Sequence, residues 1–197
     1  MKKIIGIIDI DGVITNLDFM KNKAISTKIL NLSHNHTIDN KLLNELFYKI
    51  CLMVVKNYRL RPFVKEVITA LKNVGTEINI VTKRPFATDD CKEGQMIRTL
   101  TETLLDDAEI PYDRLFYSDG DKSFECDDLN ADFIIEDNPG TVEELSKHTK
   151  VLLFDTPYNQ GIEGENIYRV ANWVEVYQTI QRLFPLKERI LKLNEEN

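Results

Sequence analysis

Two aspartates separated by one residue and followed by glycine, Asp9, Asp11 and Gly12, close an apolar run near the start of the chain. Two adjacent acids, Glu136 and Asp137, end another apolar run far along the sequence, while Thr82 ends a third and Lys122 follows shortly after a fourth. If these runs are neighbouring strands of one parallel sheet, their carboxyl ends line a common crevice and the polar residues converge there. Four carboxylates in one pocket repel one another and call for a hard cation, for which oxygen donors make Mg2+ the best choice. One carboxylate on the metal would stay ionised and nucleophilic, and a second could carry a proton to a leaving group and then from water. Thr82 and Lys122 would hold the oxygens of a transferring phosphoryl group, a reaction that depends on positioning and charge neutralisation. Singly, each residue has an everyday explanation: aspartate caps turns, threonine favours strands and lysine is usually solvated. Their joint position is what points to phosphoryl transfer.

The elements that must position them can be read from hydropathy. Strands are expected over 3–9, 78–82, 115–119, 132–137 and 151–155, alternating with segments of helical period, the pattern of an α/β protein with a Rossmann-like parallel sheet flanked by helices. One helix begins at Pro62, carries Val64, Val67, Ile68 and Leu71 on one face and stops at Gly75. Others are expected from about Asp90 to Ala108, from Asn138 through Val142 and Leu145, and from Trp173 to Leu183. The alternation fails only after the first strand, where no strand signal appears until about Arg61. Residues 15–61 therefore read as a helical cap inserted into a core formed by 1–14 and 62–197. Within the insertion Leu42, Leu43, Leu46, Phe47, Ile50, Cys51, Val54 and Val55 form an apolar stripe that needs covering, as a cap packed over the crevice would provide.

With 197 residues, 43% of them hydrophobic and 29% charged, the chain has enough apolar material for a core and is not a disordered or low-complexity sequence. Its net charge of -7 repels polyanions, which disfavours bulk nucleic-acid binding and leaves a small anion as substrate only where cations gather locally. No apolar run approaches a membrane span or the core of a signal peptide. Cys51, Cys91 and Cys126 are an odd, widely spaced set without a C-x-x-C pair, which suggests neither a disulfide framework nor zinc and fits a cytoplasmic location.

IIDIDGVI resembles motif I of the haloacid dehalogenase (HAD) superfamily, INIVT its motif II, Lys122 its motif III lysine, and FIIED its acidic motif IV. The four occur in the family's order and span nearly the whole chain. The resemblance implies a Mg2+-dependent phosphomonoester hydrolase with an aspartyl-phosphate intermediate, Asp9 as nucleophile and Asp11 as acid/base. It also implies a metal held by Asp9, the main-chain carbonyl of Asp11 and a motif IV acid, Asp137 being favoured over Glu136. Within the superfamily the chain is similar to the 5'(3')-deoxyribonucleotidase-like group, through the insertion after motif I, the VTKRP segment and the ending EDNPGTVEEL, DTPYNQG and YRVANWVEV. The substrate implied is a (deoxy)nucleoside monophosphate. A sugar phosphate or other small metabolite is the alternative, as is a non-catalytic protein that binds a phosphorylated ligand. A homodimer stays open.

Lys83 and Arg84 follow the motif II threonine and, with Arg61, are the cations nearest the crevice. Arg84 is the preferred group for a second anionic part of the substrate, with a structural ion pair as its competing explanation. Phe19, Phe47 and Tyr48 in the insertion offer surfaces for a nucleobase, although at least two of the three read as ordinary cap core. His34 and His36 lack a third ligand and read as solvated. Tyr158 and Asn159, in a turn-rich stretch, either border the site or shape their loop.

Overall fold

The computed structural model describes residues 3–16, 45, 49, 59–184 and 186. Most of the insertion, including Phe19, His34, His36, Phe47, Tyr48 and the whole apolar stripe, lies outside the described residues.

Among the described residues the chain forms six strands and five helices: β1 (Ile5–Ile8), α1 (Val64–Asn73), β2 (Glu77–Thr82), α2 (Lys92–Asp107), β3 (Arg114–Tyr117), α3 (Ser123–Asp128), β4 (Phe133–Glu136), α4 (Pro139–His148), β5 (Lys150–Phe154), β6 (Ile167–Val170) and α5 (Trp173–Leu183). The strands make one sheet in the order β3-β2-β1-β4-β5-β6. Every pairing is parallel. Both faces are covered, so the inner strands can be apolar on both sides. Ile8 of β1 joins a core with Val64, Ile68 and Leu71 of α1 and Trp173, Val176 and Ile180 of α5. Ile7, the next residue back, points to the opposite core, made with Cys126 of α3 and Val142 and Leu145 of α4.

The five expected strands are present within a residue or two. β6 and the short α3 were not foreseen. β6 lies at the sheet edge and reads Ile-Tyr-Arg-Val, with Arg169 exposed, so it lacks the apolar run that marks the inner strands. Helix ends follow local chemistry: Asn138 accepts a bond from the Gly140 amide at 3.0 Å with Pro139 opening α4, and Asn172 accepts from the Glu175 amide at 3.0 Å to open α5.

The central position of β1 places the loop after it at the switch point of the sheet, where β2 lies on one side and β4 on the other. The two ends of the segment between β1 and α1 lie side by side. Thr15 bridges Leu60 in antiparallel fashion, the Asn16 amide donates to the Arg59 carbonyl at 2.7 Å, and the Arg61 amide donates to the Ile14 carbonyl at 2.9 Å.

Candidate active site

Asp9 follows β1 directly, and its amide donates to the Ile135 carbonyl of β4 at 3.0 Å, which extends the sheet's bonding one residue beyond the strand. The chain then turns sharply, with the amides of Val13, Ile14 and Thr15 all directed to the Ile10 carbonyl. Two distant side chains brace this turn: Arg61 Nε donates to the Gly12 carbonyl at 2.8 Å, and Trp173 Nε1 donates to the Val13 carbonyl at 3.0 Å.

Lys122 stands between two acids. Its Nζ is 2.6 Å from Asp9 Oδ1 and 2.6 Å from Glu136 Oε2, and all three side chains are buried. Lys122 has φ 72°, an unfavourable conformation for a side-chain-bearing residue, at the first position before α3. Such strain persists where surrounding bonds fix the residue, as both carboxylates do here. Burial would lower the lysine's pKa, but Asp9 and Glu136 outweigh it and hold the ammonium above its ordinary range.

Glu136 is fully engaged: its second oxygen, Oε1, accepts from the amides of Asp137 and Asn138 at 3.0 and 3.1 Å. Asp137 instead reaches toward the β1 loop, where its Oδ2 accepts the Tyr158 hydroxyl. A Cβ on Gly12 would lie 1.8 Å from that same oxygen, and Gly12 has φ +86°, so glycine is required there on two grounds. Burial pushes Asp137 up to about 7, with Glu136 adding to the rise and the Tyr158 hydroxyl opposing it. Burial likewise lifts Asp9 well above the usual carboxylate value, against the opposing pull of Lys122.

Asp11 faces Arg84. The guanidinium is buried and also donates through Nη1 to Thr101 Oγ1 at 2.5 Å. Arg84 thus makes an ion pair with Asp11, and it also lines a cavity together with Asp11.

These groups border a cavity of about 550 Å3, lined by Asp9, Asp11, Lys122 and Asp137 and by Lys83 and Arg84 from the loop after β2. Lys83 is exposed. Thr82 ends β2 as expected, yet it is fully buried and is not among the lining residues; its hydroxyl has no hydrogen-bond partner among the described residues. The hydroxyls of Thr76 and Thr156 are likewise unpartnered among the described residues; Thr82 differs from them in directly preceding the cavity-lining Lys83 and Arg84.

Three supporting residues escaped sequence reasoning. Thr101 lies in the middle of α2, Ser118 borders the cavity, and Arg169 lies on the unforeseen β6. Arg169 fastens the loop after β5 by donating to Asn159 Oδ1 and to the Asn159 carbonyl, each at 3.0 Å. Asn159 Nδ2 in turn donates to the Asp137 carbonyl at 2.9 Å and the Phe154 carbonyl at 2.8 Å. Only the turn-forming composition around Tyr158 hinted at this, because the partners are tertiary.

Asp9, Glu136 and Asp137 each present an oxygen, all within 4.8 Å of one another. Three buried acids against one lysine leave an excess of negative charge, and an all-oxygen donor set suits a divalent cation such as Mg2+. The residues present therefore fit the metal.

Residues 54–185 match the family described as 5' nucleotidase, deoxy (pyrimidine), cytosolic type C protein, or NT5C. A nucleotidase of Clostridium acetobutylicum is 36% identical over 195 residues, covering 93% of this chain and 96% of that protein. Among solved structures, a haloacid dehalogenase-like hydrolase from Xanthomonas campestris aligns with a TM-score of 0.60 at 10% identity, over 92% of this chain and 96% of that one. A D,D-heptose 1,7-bisphosphate phosphatase from Burkholderia thailandensis aligns with a TM-score of 0.57 at 11% identity, over 91% and 99%. The sequence matches extend through the loops that carry Asp137 and Arg84, and the chain, with the fold of haloacid dehalogenase-like hydrolases, belongs to the NT5C family of phosphoric monoester hydrolases.

Proposed function

We propose that the chain is a Mg2+-dependent 5'-nucleotidase that acts on (deoxy)nucleoside monophosphates through a phospho-Asp9 intermediate. The observation that carries the chemistry is the buried grouping of Asp9, Lys122 and the Glu136-Asp137 pair at the mouth of a cavity, with the unpartnered Thr82 hydroxyl close by in sequence to its cationic rim. The substrate class is supported by the NT5C match and by the Clostridium relative.

In this reading an Asp9 oxygen attacks phosphorus as the bond to the leaving oxygen breaks, and Asp11 donates a proton to that oxygen. Water then attacks phosphorus, Asp11 takes its proton, and the bond to Asp9 breaks to release phosphate. Lys122 and Thr82 hold phosphoryl oxygens. Asp9, the Asp11 carbonyl and Asp137 would hold Mg2+, which when bound offsets the charge of the carboxylates and of the phosphoryl group. Glu136, with both oxygens engaged, orients Lys122. The insertion 15–61 acts as the cap that selects among esters, with Phe19 of the cap and Lys83 and Arg84 of the loop after β2 as candidate substrate contacts.

Phosphate release from a panel of phosphorylated metabolites at fixed Mg2+ tests the reading. Nucleoside monophosphates are expected to give higher kcat/KM than hexose or triose phosphates. A preference for sugar phosphates would overturn the substrate class, and no release from any member would favour a protein that only binds its ligand.

A further inference from the structure

In every carboxylate of the acidic cluster at least one oxygen is already in use. Asp9 Oδ1 is paired with Lys122, both oxygens of Glu136 are occupied, and Asp137 Oδ2 accepts the Tyr158 hydroxyl. Each of these bonds competes with a cation for its oxygen, which disfavours binding through both oxygens of Asp9 or of Asp137. This distinction separates two hard cations. Ca2+ takes six to eight oxygens at roughly 2.3–2.6 Å and readily uses both oxygens of a carboxylate, whereas Mg2+ requires an octahedron at about 2.0–2.1 Å.

We infer that Tyr158 is a positioning residue that restricts Asp137 to one-oxygen binding and thereby sets the preference of the site for Mg2+ over Ca2+. The inference rests on the metal reading above. The phenol cannot simply withdraw, because its loop is fastened next door: Asn159 binds the carbonyls of Asp137 and Phe154, its Oδ1 accepts the Thr156 amide at 3.1 Å, and Arg169 ties Asn159 to Asp155 through a 2.6 Å ion pair. Asp137 Oδ2 also lies close against Gly12, where a methyl group would not fit. Both constraints act on the same oxygen.

The test is binding of Mg2+ and of Ca2+ to the full chain, by titration calorimetry and by the rise in Tm, for wild type, Y158F and D137A. Y158F is expected to keep the metal-free Tm and to narrow the ratio of Ca2+ to Mg2+ dissociation constants by about tenfold, in line with changes to groups that orient a metal ligand. An unchanged ratio in Y158F, with D137A losing the cation, would overturn the role of Tyr158 alone. A wild-type Tm that responds to neither cation, or a response that D137A retains, would overturn the metal reading itself.

Discussion

Arg84 grips Asp11 by both carboxylate oxygens, Nε to Oδ2 and Nη2 to Oδ1, each at 2.9 Å. A two-pronged guanidinium pair fixes the plane of the carboxylate as well as its place. If Asp11 is the proton carrier, this pair aims it, and its loss should matter most when the leaving group most needs a proton. Replacing Arg84 by Gln is expected to lower kcat roughly 10- to 100-fold on a nucleoside monophosphate and distinctly less on p-nitrophenyl phosphate. Equal losses on both esters, measured by phosphate release, would mean that Arg84 serves folding alone.

Asp9→Asn retains the shape of the nucleophile and removes its charge. Turnover is expected to fall by at least about 10³-fold with an unchanged circular dichroism spectrum. Near wild-type turnover would exclude the covalent route.

The Thr82 hydroxyl makes no bond in the fold, so Thr82→Val should leave Tm unchanged or slightly higher while lowering kcat/KM on the order of 10²-fold. A fall in Tm with unaltered kinetics would assign the hydroxyl to the core.

Gly12→Ala places a methyl against Asp137 Oδ2 and forces a left-handed backbone on alanine. A stability loss of about 1–3 kcal/mol is expected, together with weakened Mg2+ binding in calorimetry. Wild-type values of both would show that the two loops are not in contact.

Away from the cavity, Glu77 pairs with Lys3 at 2.9 Å and Arg114 at 2.6 Å. Its bond with Lys3, followed by one with Asn79, lowers its carboxyl to about 2. A carboxylate with a lowered folded-state pKa stabilises the fold above its unfolded value, and that contribution disappears as the pH falls from about 4.5 to about 2. Glu77→Gln should therefore flatten the pH dependence of Tm within that window and leave its shape near neutrality unchanged.

The inner strands were legible because a strand buried on both faces must be apolar throughout, as Ile5–Ile8 and Lys150–Phe154 nearly are. β6 was not, because an edge strand can carry Arg169 outward. Asp9, Asp11, Lys122, Glu136 and Asp137 could be read from their places at strand ends and do border one cavity. What separates Glu136 from Asp137 could not be read, since it depends on a lysine 14 positions away and a tyrosine 21 positions away. Arg84 was ambiguous for the same reason: an arginine in a sequence does not disclose whether its partner is an acid of the protein or a ligand.

The bond from the Trp173 indole to the Val13 carbonyl joins groups 160 residues apart. As a ribosome makes this chain, the turn that carries Asp11 is made well before its brace. Its sheet neighbours, β2 and β4, also arrive after it. A nascent chain that has not reached Trp173 thus holds all the acids of the cavity and lacks one of the two side chains that brace their loop.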